Sequence, residues 1–148
     1  MISSTSSTRR TEPPVPTVAS LRLTAEAWVL LVAARLALRV VRFGRVRAVA
    51  RRLAHQGRRG RRAEPEEVAG AVARASRAVP RATCLVRALA GAVMLARHGH
   101  PAVLRIGVAG RDSRELAHAW VETRGTIVLG DIGLDGYVPL PAIDVLRR

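Results

Sequence analysis

This chain has almost no cysteine, few aromatic rings and very few acids in its first 62 residues. A single cysteine, Cys84, excludes an internal disulfide framework and any multi-cysteine zinc site. A lone thiol is at home in a reducing compartment, so a cytoplasmic location is expected. Aromatics make up 3% of the residues, and a core must therefore be built from Ala, Val and Leu. Lys and Asn are absent, Arg carries all the positive charge, and Gln56 is the one glutamine. The arginine usage reads as biased composition more than as arginine chemistry. No run of about eighteen uncharged apolar residues occurs, so no conventional membrane-spanning helix is expected. Ala27–Ala34 (AWVLLVAA) has the look of a signal-peptide core, but Glu26, Arg35 and Arg39 fence it in, which favours a buried or membrane-surface helix. The twin arginine Arg9-Arg10 is followed by Glu12 and prolines where an export signal needs an apolar stretch. Gly-rich phosphate loops are missing as well: Gly107–Gly110 (GVAG) lacks both the spacing and the following helix of a nucleotide site. His98-Gly99-His100 offers two metal ligands without a third nearby and suits a helix cap better. Neither a metal nor a cofactor is expected.

What the chain does have is unevenly distributed. At 148 residues it has the length of one domain with a real core. The formal charge is +14, and residues 1–62 hold 14 Arg against 2 acids, whereas residues 63–148 hold 11 against 9. The organisation expected is an irregular segment over 1–20, rich in Ser, Thr and Pro, a basic helical region over 21–62, and a domain over 63–148. A helical period from about Ser20 to Ala54 rests on Trp28, Leu31, Val32, Leu36, Val40 and Val41, with Gly44 as a place for a kink or division. His55–Arg62 reads as a basic loop. Glu64-Pro65-Glu66-Glu67 reads as a helix start, because proline suits the first turn and acids suit the positive end of the dipole. Pro80 ends that helix, Thr83 caps the next, and Gly99 stops it. After Gly99 the period changes to that of strands, over Ala102–Ala109, Leu116–Thr123 and Thr126–Asp131, the last two joined at Arg124-Gly125. Three antiparallel strands packed on the Cys84 helix make an α+β domain.

The chemistry begins with position. Cys84 falls in the first turn of its helix, where the dipole and the outward N–H groups favour a thiolate and can hold an oxyanion. A small buried hydrophobe is the ordinary fate of a lone cysteine, and position alone does not separate the two. The hairpin adds the second element. A two-residue loop at Arg124-Gly125 sets Thr123 opposite Thr126 and carries the register on to Val121 opposite Val128 and His118 opposite Asp131. Directly opposed residues share a face at roughly 4.5–5.5 Å between Cβ atoms. Cys84 as nucleophile, His118 as base and Asp131 as orienter follow the logic of a catalytic triad. Trp120 and Glu122 lie on the His118 face. Trp120 is either a wall of the site or core packing, and Glu122, the second carboxylate in reach, is expected in solvent or a salt bridge.

Three stretches together, Cys84–Gly99 (CLVRALAGAVMLARHG), Ala102–Val108 (AVLRIGV) and Ala117–Glu122 (AHAWVE), resemble the transglutaminase-like leader peptidases of lasso-peptide biosynthesis. The resemblance covers about the last 70 residues. It implies a papain-like or transglutaminase-like core, with Cys84 as nucleophile, His118 as base and Asp131 completing the triad. It also implies a cysteine endopeptidase that cuts the leader from a ribosomally made precursor. Such an enzyme works beside a small leader-binding protein and an ATP-dependent lasso cyclase similar to asparagine synthetase. Residues 1–80 read as helical and basic, so the split type is expected, with leader recognition supplied in trans. With no Asn and only Gln56, in the basic loop, the oxyanion donors are expected from the backbone.

Two other readings use the same residues differently. The triad with an amine acceptor makes an acyltransferase or amide cross-linker. The basic N-terminal part makes a binding module, for a partner protein or a membrane surface. Nucleic acid is disfavoured because Trp28 and Phe43 are the only aromatic rings in that part to stack on bases.

Overall fold

The computed structural model describes residues 17–56, 62–109, 117–131, 133 and 136–144. Among them four helices precede five strands. They are α1 (Val18–Val40), α2 (Phe43–His55), α3 (Pro65–Ser76), α4 (Cys84–Arg97), β1 (Val103–Ala109), β2 (Ala117–Thr123), β3 (Thr126–Leu129), β4 (Tyr137–Pro139) and β5 (Ile143–Asp144). The α+β class expected from the change of period is the class observed. Residues 1–16 and most of the basic loop lie outside the described residues.

Local chemistry sets the helix ends. Thr17 Oγ1 accepts the Ser20 N–H at 3.2 Å, so α1 starts at Val18, inside the segment read from the sequence as irregular. The backbone turns extended at Val41, and α1 and α2 divide there, just ahead of Gly44. The Glu67 carboxylate accepts the Glu64 N–H at 2.9 Å behind Pro65. Thr83 Oγ1 accepts the Val86 N–H at 3.4 Å at the start of α4. Gly99 ends α4 with φ +85°, a conformation costly for any residue with a Cβ.

Helix α4 is the hub. Its residues Ala88 through Ala96 are all buried, because α1, α2 and α3 pack on it from one side and β1, β2 and β3 from the other. The core is built largely from small side chains, among them Ala27 and Ala34 of α1, Ala50 and Ala54 of α2, Ala71 and Ala75 of α3, and Ala92 of α4. Small faces let helix backbones approach closely, which is how a chain so poor in aromatics fills its interior. A part-buried ion pair adds a polar tie between the ends: Arg97 Nε donates to Glu26 Oε1 at 2.9 Å, and His98 Nε2 lies 3.7 Å from Glu26 Oε2. His98 and His100 both hold the backbone of Ala63. Its N–H donates to His98 Nδ1 at 2.9 Å, and His100 Nε2 donates to its carbonyl at 2.8 Å. These two histidines fasten the entry to α3 onto the exit from α4.

The sheet order is β3-β2-β1-β4, with β5 also on β1. β4 pairs with Gly107–Ala109 and β5 with Val103–Leu104, so these short strands share one edge of β1. The sequence patterns showed only the first three strands. Leu104 opposite Val121 and Ile106 opposite Ala119 face the helices. The β2–β3 turn is the expected two-residue loop, with Arg124 at φ 50° and Gly125 at φ 81°, the backbone of a twist-matched hairpin turn. The register beyond it differs from expectation. Thr123 faces Thr126 and Glu122 faces Ile127, but a bulge follows and Val121 faces Leu129 instead of Val128. The extra residue in β3 displaces everything after it by one place, so ladder register does not set Asp131 opposite His118.

Candidate active site

Cys84 is the first residue of α4 and is half-buried. The Val86 N–H is taken by the Thr83 cap. Helix geometry leaves the N–H groups of Cys84 and Leu85 without an acceptor inside the helix, and they are the backbone donors available to an oxyanion at this thiol. Cys84 shares one cavity, of about 740 Å³, with His118 and Asp131. Val72, Ala88 and Leu129 contribute apolar lining, and Thr83, Arg87 and Gly130 also border it. Three side chains chosen from sequence therefore border a single space.

Within that space the three are held very differently. His118 is buried, at 5% exposure, and its Nε2 lies 2.8 Å from the Gly130 carbonyl oxygen. A carbonyl only accepts, so Nε2 carries the proton and the lone pair of the neutral ring is on Nδ1. Asp131 is exposed, and its Oδ1 accepts the Gly133 N–H at 3.3 Å. The tautomer of His118 is thus set by a backbone carbonyl one residue before the expected carboxylate. Gly130 can present that carbonyl because it adopts φ +84°, and a Cβ there would lie 2.8 Å from the Ala119 oxygen and 3.1 Å from Trp120 Cα. Only glycine passes this close to β2 in that conformation. The signal in the sequence was the pair Gly130-Asp131 at the end of the third strand pattern, where β3 in fact stops at Leu129, and its consequence depended on the bulge.

The remaining side chains of the His118 face build its support. Tyr137, the only tyrosine of the chain, places its ring 5.9 Å from the His118 ring at 57°. Sequence patterns missed this neighbour, because β4 is too short to show a period. Trp120 is buried, at 4% exposure, and lies across Gly107, where a Cβ would sit 2.9 Å from its Cζ3. Its Nε1–H donates to Glu122 Oε1 at 2.9 Å, while Arg105 Nε donates to Glu122 Oε2 at 3.2 Å. Glu122 is therefore occupied by a salt bridge, as expected, and Trp120 packs on the strand beside the histidine. Among the described residues no group of three or more His, Cys, Asp or Glu could hold a metal ion.

A thiol at a helix N-terminus, an imidazole on the adjoining antiparallel sheet and a shared cavity define the cysteine protease and acyltransferase type of fold. The family model of the transglutaminase-like superfamily matches residues 27–142, and the chain belongs to that superfamily. The match begins within α1 and thus takes in most of the basic helical region. The superfamily generally contains cysteine proteases and transferases. No curated protein and no solved structure matches the chain.

Proposed function

We propose that this chain is a cysteine endopeptidase that releases the leader from a ribosomally synthesised lasso-peptide precursor. The observation that carries the reading is the cavity bordered jointly by Cys84, His118 and Asp131. It is supported by superfamily membership and by the sequence resemblance over the last 70 or so residues. In this mechanism His118 Nδ1 takes the proton of the Cys84 thiol as the sulfur attacks the scissile carbonyl carbon. The resulting oxyanion is held by the N–H groups of Cys84 and Leu85. Collapse breaks the C–N bond, and the proton on Nδ1 goes to the departing amine of the core peptide. The leader remains as a thioester on Cys84. Water, deprotonated by His118, then attacks it and releases the leader carboxylate and the thiol. Gly130 holds the ring through Nε2, and Asp131, next in the chain, stabilises the imidazolium. A separate leader-binding protein presents the substrate, and an ATP-dependent cyclase takes the core.

The test is incubation of the full chain and of Cys84→Ala with a precursor and its leader-binding protein, followed by mass spectrometry. The expected result is cleavage by the unmodified chain alone, with a leader ending in a free carboxylate. Equal cleavage by both overturns the mechanism. A leader joined to an added amine in place of the carboxylate assigns the same residues to an acyltransferase.

A further inference from the structure

Helix α1 is apolar on two opposite sides. One side carries Leu23, Ala27, Leu31 and Ala34 into the core. The other, at steps of one or two helical turns, carries Val18, Leu21, Val29, Leu36 and Val40, which are 54–83% exposed. At 1.5 Å per residue this outer stripe runs the length of a 23-residue helix, roughly 34 Å. Trp28 stands at its shoulder, 46% exposed. Scattered surface apolar residues need no explanation, but a stripe along a whole helix does.

The charges around the stripe indicate what covers it. Residues 17–56 contain eight arginines and one acid, Glu26. Glu26 is turned inward to Arg97, with its side chain 13% exposed, and does not offset the outer charge. Arg22 and Arg39 flank the stripe and are exposed, and Arg42, Arg45, Arg47, Arg51 and Arg52 continue the positive surface across α2. Between α1, α2 and α4 opens an apolar groove lined by Leu30, Ala33, Ala37, Val41, Val49 and Val93, with Arg45 its only charged lining residue. A second copy docked through the same face would bring arginines toward arginines, with no outward acid on α1 or α2 to pair them. An anionic bilayer satisfies both features, since the stripe enters the acyl boundary while the flanking guanidinium groups reach the headgroups.

We infer that the outer face of α1 is a docking surface for anionic phospholipid, on which the protein lies without crossing the bilayer. Among the described residues no helix is long and apolar enough to cross. The docking surface is independent of the chemistry at Cys84, which lies at the start of a different helix.

The experiment is co-sedimentation of the full chain with vesicles of phosphatidylglycerol and phosphatidylcholine, beside vesicles of phosphatidylcholine alone, with tryptophan emission recorded. Binding to the anionic vesicles only is expected, with a blue shift due to Trp28, because Trp120 is already buried. The shift disappears in Trp28→Phe. Val29→Asp with Leu36→Asp abolishes binding, and Arg22→Gln or Arg39→Gln each weakens it roughly fivefold. Absence of binding by the unmodified chain, or an unmoved Trp28 emission, overturns the inference without any variant. So does a vesicle-free dimer, seen by sedimentation velocity, that the same aspartates dissolve. Tight binding that persists in the aspartate pair, or capture of a polyanion such as RNA in competition with the vesicles, overturns it in favour of charge alone.

Discussion

The helices α1 and α2 and the α4–sheet unit make opposite uses of similar material. The first pair is strongly basic, uses alanine-rich faces to reach α4, and keeps apolar and arginine side chains outside. The second unit is nearly neutral, and its polar residues turn toward a cavity or pair with one another. The comparison separates scaffold from chemistry. Yet the two share one core and one tie at Glu26, and the superfamily match spans both. A basic N-terminal part that looks detachable by charge is, by packing, the back wall behind the helix that Cys84 opens.

Substitutions should pull the two roles apart. The largest effect is expected at the cavity: Cys84→Ala and His118→Ala each lower precursor cleavage by at least ~10³-fold. Because Cys84 is a small, half-buried side chain at a helix end, its variant should unfold within a few degrees of the parent in a thermal melt. A matching loss of stability would make Cys84 a packing residue. Gly130→Ala comes next and should affect both roles. A Cβ at φ +84° against the Ala119 oxygen costs about 1–3 kcal/mol in denaturant unfolding, and the displaced carbonyl loosens His118, so cleavage falls as well. Retained activity in that variant would show that the Gly130 carbonyl is not what orients the ring.

Glu26→Gln tests the other side of the comparison. It removes the charge that Arg97 and His98 share between α1 and α4 and should cost about 1–3 kcal/mol, with kcat unchanged. A drop in kcat at full stability would mean that the N-terminal helices tune the site and do more than support it. The smallest effect is expected from Asp131→Asn, roughly tenfold or less on kcat, because the Gly130 carbonyl already sets the tautomer. A loss comparable to His118→Ala would restore Asp131 to the full orienting role.

Much of the fold was legible because its signals are local. Pro65 with Glu64 and Glu67, Thr83 before Cys84, and Gly99 after Arg97 act through bonds within a turn, and the structure places helix ends at each. The Arg124-Gly125 turn is equally local. The register beyond it was not legible, since a bulge depends on how β3 seats against α4 and β2. Leu129 is packed so close to Gly91 that a Cβ there would collide with its Cδ1. β4 and β5 pair over three residues and two residues, too few to show alternation, and so Tyr137 beside His118 was invisible.

By itself the sequence determined where α3 and α4 begin, that the thiol opens a helix, and that the histidine follows on a strand ahead of a tight hairpin turn, because capping and turn chemistry act over three or four residues. Tertiary structure alone decided which atom holds the histidine. One extra residue in β3 exchanges a carboxylate for the carbonyl of Gly130, and that exchange is settled by packing between elements that no short window of sequence contains.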